Sequence, residues 1–228
     1  MTNIKTPVIT IDGPGGSGKG TISRLLAHDL DWHFLDSGAL YRLVGLAARW
    51  HAIPFEDEAG LETLAAHLDV QFTGDDTGST TRIFLEGEEV TDLIRSEECG
   101  NDASKVAVIP VVRSALLDRQ RAFCQPPGLV ADGRDMGTVV FPEAKLKVYL
   151  TASLDERVSR RHKQLKEKGV NANITALYQE LAKRDARDKE RAVAPLMPAA
   201  DAVVVDSSGL PVAEVLARVK MLWQQVSG

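Results

Sequence analysis

Val8-Ile9-Thr10-Ile11-Asp12-Gly13-Pro14-Gly15-Gly16-Ser17-Gly18-Lys19-Gly20-Thr21 decides the fold: a β-branched run, a glycine-dense turn and a lysine that opens an amphipathic helix. Gly13 and Gly18, with four residues between them and followed by Lys19, keep the spacing of a phosphate-binding loop, and the flanking strand and helix are the context that this spacing requires. Glycines let successive backbone N–H groups converge on an anion without Cβ clashes, and the helix N-terminus adds partial positive charge. Lys19 brings an ammonium for the terminal phosphates. Gly20 stands where most such loops carry Ser or Thr for magnesium, and the hydroxyl comes one place later, at Thr21. Mg²⁺ is therefore expected to be held mainly through water and the phosphates, with Thr21 and Asp132 as its protein contacts.

Outward from the loop, Ile22, Leu25, Leu26 and Leu30 recur at helical spacing, so this helix packs back on the sheet. Trp32-His33-Phe34-Leu35 is a short strand, and Asp36 or Ser37 caps the helix that carries Tyr41 and Arg42. Leu61 to Leu68 is helical. Val70-Gln71-Phe72, the polar turn Thr73 to Thr80, Arg82-Ile83-Phe84-Leu85 and the turn Glu86-Gly87-Glu88 then predict a β-hairpin inside an antiparallel insertion over Asp69 to Glu98. Ala103 to Gln125 returns to helical periodicity and bears Ser104 and Arg113. Leu129-Val130-Ala131 is a buried strand ending in Asp132-Gly133-Arg134-Asp135, and Leu146 to Leu150 is the next. Ser153-Leu154-Asp155-Glu156 is a capping box for a helix with Arg157 and Arg161 on one face. After Gly169 to Asn173, a helix from Ile174 to Arg191 carries Arg184, Arg187, Asp188 and Arg191 on one face. Ala202 to Val205 is the last strand and Pro211 to Val226 the last helix. Five strands interleaved with helices argue for an α/β fold with a five-stranded parallel sheet covered on both faces.

Composition narrows the function. With 228 residues and 44% hydrophobic side chains the chain has ample core. A net charge of −5 disfavours a general nucleic-acid binder, yet 157–191 holds eleven Lys or Arg against five Asp or Glu, about +6 in a chain otherwise about −11. A local anion site explains this segment more sharply than a solvated helical face. Two cysteines without CxxC spacing argue against a disulfide framework or a zinc site. No apolar run reaches membrane-span length and Met1 to Pro7 has no signal-peptide core, so a cytoplasmic protein is expected. Phosphoryl transfer needs in-line positioning and positive charge over the equatorial oxygens in a site closed to water. Arg157, Arg161, Arg184 and Arg191 with Lys19 suit that need, on two helices that read as a lid. No Asn-Lys-x-Asp of a switch GTPase and no Leu-Ser-Gly-Gly of a transporter ATPase is present. A small-molecule kinase is favoured over a nucleotide-dependent binding or RNA-interaction module.

Gly13 to Thr21, Asp36-Ser37-Gly38-Ala39-Leu40-Tyr41-Arg42, Asp132-Gly133-Arg134-Asp135-Met136-Gly137-Thr138, Arg184-Asp185-Ala186-Arg187-Asp188 and Ala194-Pro195-Leu196 together resemble bacterial cytidylate kinases, over about Val8 to Ser207. The resemblance implies a P-loop nucleoside monophosphate kinase fold, a single domain with core 1–68, 103–156 and 174–228, a monophosphate-binding insertion 69–102 and a lid 157–173. It implies transfer of a phosphoryl group from ATP to CMP or dCMP by a monomer, with UMP or another small acceptor as the alternative. ATP phosphates would lie on Gly13, Pro14, Gly15, Gly16, Ser17, Gly18, Lys19, Gly20 and Thr21, with Arg157 and Arg161 also on the donor. Arg42, Arg134 and Arg191 would take the acceptor's phosphate, and Ser104, Arg113 and Asp135 its base. Arg184 and Asp188 would hold the ribose, with Ser37 and Tyr41 lining the site. Lys19, Arg157, Arg161, Arg191 and Asp132 would act on the transferring group. Cytosine's exocyclic amine and its N3 and O2 acceptors suit a carboxylate and a guanidinium; uracil reverses two of these atoms.

Overall fold

A computed structural model describes residues 6–74, 81–167 and 169–227, without the side chains of 74 and 81. Most of the polar turn expected before Thr80, and residue 168 of the expected lid, lie outside the described residues. In chain order come β1 (Val8–Asp12), α1 (Lys19–Leu30), β2 (His33–Asp36), α2 (Ser37–Trp50) and α3 (Glu58–Ala66). Next are β3 (Val70–Gly74), β4 (Thr81–Leu85), β5 (Glu88–Glu89), α4 (Glu97–Val106) and α5 (Pro110–Ala122). Then follow β6 (Leu129–Gly133), β7 (Leu146–Thr151), α6 (Leu154–Glu167), α7 (Ile174–Glu190), β8 (Val203–Asp206) and α8 (Val212–Ser227). Two compact units result: Met1–Leu35 with Phe123–Gly228, and Asp36–Ala122.

The first unit is built on a five-stranded parallel sheet of order β2-β6-β1-β7-β8, as the alternation of strands and helices predicts. Every residue of β1 and β6 is buried, which is why both strands read as apolar runs rather than alternating ones. Ile22 and Leu26 of α1 and Val215 and Val219 of α8 pack with Ile9, Ile11, Val130 and Val148. Trp32 meets Trp223 edge-on, with ring centroids 5.1 Å apart. Because β1 lies between β6 and β7, the sheet's order reverses beside it, and the carboxyl ends of the three strands form the crevice where such sheets bind ligands. The register puts Ile11 opposite Asp132 and Asp12 opposite both Gly133 and Tyr149.

The second unit packs α2 on α4 and α3 on α5, beside a three-stranded antiparallel sheet of order β3-β4-β5. The expected hairpin is there, extended by a two-residue third strand. Glu86 (φ 52°) and Gly87 (φ 83°) turn β4 into β5 with positive φ at both central positions, the geometry that follows the twist of paired strands. Asp36 rather than Ser37 caps α2, accepting from the Ala39 N–H at 3.0 Å. The continuous helix expected over Ala103 to Gln125 is instead two. Pro110 has no N–H to donate and holds Ile109 out of helical geometry, so α4 ends at Val106 and α5 starts on the proline. Among the described residues no helix is long and apolar enough to cross a membrane.

Gly13 (φ 155°) touches the backbone of β7 so closely that a Cβ would lie 2.0 Å from the Leu150 carbonyl oxygen, whereas a Cβ at Gly209 (φ 68°) meets nothing within 4 Å. Gly13→Ala is therefore expected to cost about 3 kcal/mol or more, and Gly209→Ala about 1 kcal/mol from backbone strain alone. Urea unfolding of the two variants side by side checks this, and equal losses would contradict the close contact.

Candidate active site

The loop between β1 and α1 turns through left-handed glycines. Gly16 (φ 79°) lies under Arg157, where a Cβ would come within 3.1 Å of that residue's own Cβ, and Gly18 (φ 89°) precedes α1. Lys19 Nζ sits 3.3 Å from the Pro14 carbonyl oxygen and 3.9 Å from Asp132 Oδ1. A Cβ at Gly20 would stand 3.0 Å from Asp132 Oδ2, so the carboxylate fills the space that a Ser or Thr side chain would use. Thr21, half-buried, is rotated about 100° further round α1.

Asp12, which the motif reading passed over, ends β1 and ties the neighbouring loop down. Its two carboxylate oxygens accept the N–H groups of Met136 and Gly137, each at 2.8 Å. Burial pushes the Asp12 carboxyl up to about 6, against the pull of those two N–H donors. The signal available in sequence was an acidic residue closing a buried, β-branched strand. Beyond it, Val140 N–H reaches back to Asp135 O and Phe141 N–H to Met136 O, a wide turn of the kind common at functional sites.

Several buried acidic and basic residues of this unit are matched in pairs. Arg134 Nε donates to Asp188 Oδ2 at 2.9 Å. Burial works to raise the Asp188 pKa, but Arg134, with Arg191 and Arg184, holds the carboxyl below its ordinary value. Arg191 Nη2 lies 3.7 Å from Asp135 Oδ1, and its Nε donates to the Ala194 carbonyl. Arg157 is buried: Nε donates to Ala152 O at 3.1 Å, and Nη1 to Gly15 O at 3.0 Å and to Asp185 Oδ1 at 3.1 Å. Arg161 donates to Gln164 Oε1 at 3.3 Å, while its neighbour Arg160 reaches the loop at Ser17 O, 3.3 Å away. Arg184 is half-buried on α7 and adds to the charge that lowers Asp188.

In the second unit, Ser37, Tyr41 and Ser104 are buried and Arg42 is half-buried. Arg113, also buried, donates to Ala107 O at 3.3 Å and stands 5.8 Å from the centre of the Tyr41 ring. Left-handed glycines, a helix N-terminus and a lysine give the first unit's loop the chemistry that suits a multiply charged anion.

The family model for cytidylate kinase matches residues 9–225. The chain belongs to the cytidylate kinase family. It is 60% identical over 217 residues to a cytidylate kinase of Pseudomonas fluorescens, covering 95% of each chain. To a cytidylate kinase of Shewanella denitrificans it is 58% identical over 215 residues, covering 94% of this chain and 95% of the relative. A solved structure of an uncharacterized protein from Eubacterium ventriosum shares the fold at a TM-score of 0.52 and 11% identity, over 97% of this chain and 99% of that one. In this chain the stretches quoted for the resemblance lie at the ends of β1 and β6, at the start of α2, on α7 and just beyond it.

Asp12 gives the fold a pH signature. A carboxyl raised to about 6 from 3.8 binds its proton more tightly folded than unfolded, so its contribution to stability falls as pH rises through that interval and is flat above it. Relative to Asp12→Asn, the wild type is expected to lose about 2 kcal/mol between pH 4 and pH 7. Urea unfolding of both proteins across that range measures it, and a pH-independent difference would contradict the raised value.

Proposed function

We propose that this protein transfers the γ-phosphoryl group of ATP to CMP or dCMP, giving ADP and CDP or dCDP. The family match over residues 9–225 carries the reading. In the reaction an oxygen of the acceptor's phosphate attacks the γ-phosphorus as the bond to the β,γ-bridging oxygen breaks, and ADP leaves. Backbone N–H groups of the loop from Gly13 to Thr21, Pro14 excepted, and the Lys19 ammonium take the β- and γ-phosphates, and Arg157 and Arg161 complete the donor side. Arg134 and Arg191 take the acceptor's phosphate, Arg184 and Asp188 its ribose, and Asp135 the exocyclic amine of cytosine. On the second unit, Arg42 serves the acceptor's phosphate, Ser104 and Arg113 its base, and Ser37 and Tyr41 the surrounding wall.

Gly20 and Asp132 bear on the metal. The buried Asp132 carboxylate beside Lys19, with glycine leaving it room, fits a cation of the Mg²⁺ type, which takes one or two protein carboxylates and otherwise phosphates and water. Asp132 would hold it, directly or through water shared with Thr21. Mg²⁺ there would neutralise charge on the β- and γ-oxygens. Residues 69–102 serve as the monophosphate-binding insertion and 157–173 as the lid of one kinase domain, acting as a monomer in the cytoplasm. A net charge of −5 supports a small-molecule acceptor rather than nucleic acid.

ADP release over CMP, dCMP, UMP, AMP and shikimate tests the assignment. CMP or dCMP is expected to exceed UMP in kcat/KM by about 10²-fold or more, because uracil leaves buried polar groups mismatched. A clear preference for UMP or shikimate overturns the base assignment, and no turnover with any acceptor overturns the enzyme. Lys19→Ala is expected to lower kcat by about 10²-fold or more at saturating substrates.

A further inference from the structure

The carbonyl oxygens of the phosphate loop are held from behind, and one of the holders is Arg160, a residue the spacing argument left aside. Ser17 O accepts from Arg160 Nη1 at 3.3 Å and faces Ser207 Oγ at 3.0 Å. Arg160 also donates Nη1 to Ser207 Oγ at 3.0 Å and Nη2 to Ser207 O at 2.5 Å, and its Nε is held by Glu156 Oε1 at 2.9 Å. Ser207 is 3% exposed and fixed by its own N–H on Thr151 O at 2.8 Å. Its hydroxyl accepts from Arg160 and shares one proton between Ser17 O and Thr151 O, each 3.0 Å away.

A trans peptide is planar, so Ser17 O and Gly18 N–H point in opposite directions. Gly18, at φ 89°, is the residue type that lets this peptide rotate at little cost. Fixing the oxygen therefore fixes the N–H. We propose that Arg160 and Ser207 form a clamp that aims the Gly18 N–H at the nucleotide's phosphates. Both are positioning residues that act through Ser17 and do not touch the nucleotide. The inference rests on the reading that this loop holds ATP.

Titration calorimetry of Mg·ATP without acceptor on the full-length wild type, Arg160→Ala, Arg160→Lys, Ser207→Ala and the double variant tests it, with urea unfolding alongside. ATP affinity is expected to fall about tenfold in Arg160→Ala and about threefold in Ser207→Ala. The double variant should be no weaker than Arg160→Ala, since the two residues act as a unit. Arg160→Lys should recover part of the loss. In steady state the loss should appear in KM for ATP, with KM for CMP unchanged. Weakened binding in Arg160→Ala beside unchanged binding in Ser207→Ala assigns Arg160 to direct phosphate contact and overturns the clamp. Lowered urea midpoints with unchanged affinity in every variant reduce it to a structural brace and overturn it equally. Ser207→Ala and Arg160→Lys remove few atoms and keep the comparison decisive should Arg160→Ala fail to fold. A wild type that binds ATP but turns over no CMP overturns the proposed acceptor and leaves the clamp comparison intact; one that binds no ATP overturns the clamp.

Discussion

A loop that offers its N–H groups to an anion must turn its carbonyl oxygens the other way, because each peptide carries the two groups on opposite edges of one plane. Those oxygens cannot be left buried without donors at a cost of about 1–3 kcal/mol each. In this chain cations meet them: Lys19 at Pro14 O, Arg157 at Gly15 O and Arg160 at Ser17 O. Arg157 and Arg160 each hold the peptide that precedes a left-handed glycine, Gly16 and Gly18. The loop's flexibility, which glycine makes necessary for close approach, is thus removed again by α6.

The same economy governs the charges around it. Arg157 is held by Asp185, Arg134 by Asp188, and Arg191 lies beside Asp135. Breaking a buried ion pair on one side costs about 3–5 kcal/mol, far more than the pair itself contributes. The excess of positive charge in 157–191 is therefore only partly a surface property. Asp185 and Asp188 stand three residues apart on α7, one turn, and each takes an arginine from a different element, α6 for one and the end of β6 for the other. An anion entering here would meet guanidinium groups that are already oriented, and would compete with carboxylates rather than with water alone.

How much of this was legible depended on the range of the interaction. The loop, the five parallel strands and the antiparallel insertion follow from local pattern, since apolar runs, alternation and glycine turns are short-range features. Arg160 did not, because residues three and four apart lie on the same helical stripe, and spacing from Arg157 cannot choose between Arg160 and Arg161. The choice is made by how α6 seats, with Val158 packed against Leu177 and Leu181 of α7. Arg134 and Asp188 are 54 residues apart, and only the sheet and helix packing bring them together. Asp12 was in plain view but carries no motif; its role appears when β1 is laid beside β6 and the Met136 and Gly137 amides come within reach. The break at Pro110 was the opposite case, a local signal outweighed in the reading by helical periodicity on either side.

Gly20 shows how a departure from a common pattern follows from its neighbours. In most loops of this kind a hydroxyl stands there to meet the metal. Here the Asp132 carboxylate, carried by β6 into register with Ile11, lies 3.0 Å from where any side chain at position 20 would begin. A side chain there would press on the carboxylate as it stands, and a hydroxyl would add a neutral ligand where the carboxylate adds a charged one. In this chain β6 brings its acid so close to the start of α1 that a side chain at position 20 would require Asp132 to give way by a few tenths of an ångström. The glycine and the aspartate are one feature written in two places, and a Gly20→Ser change alone would displace Asp132 rather than supplement it.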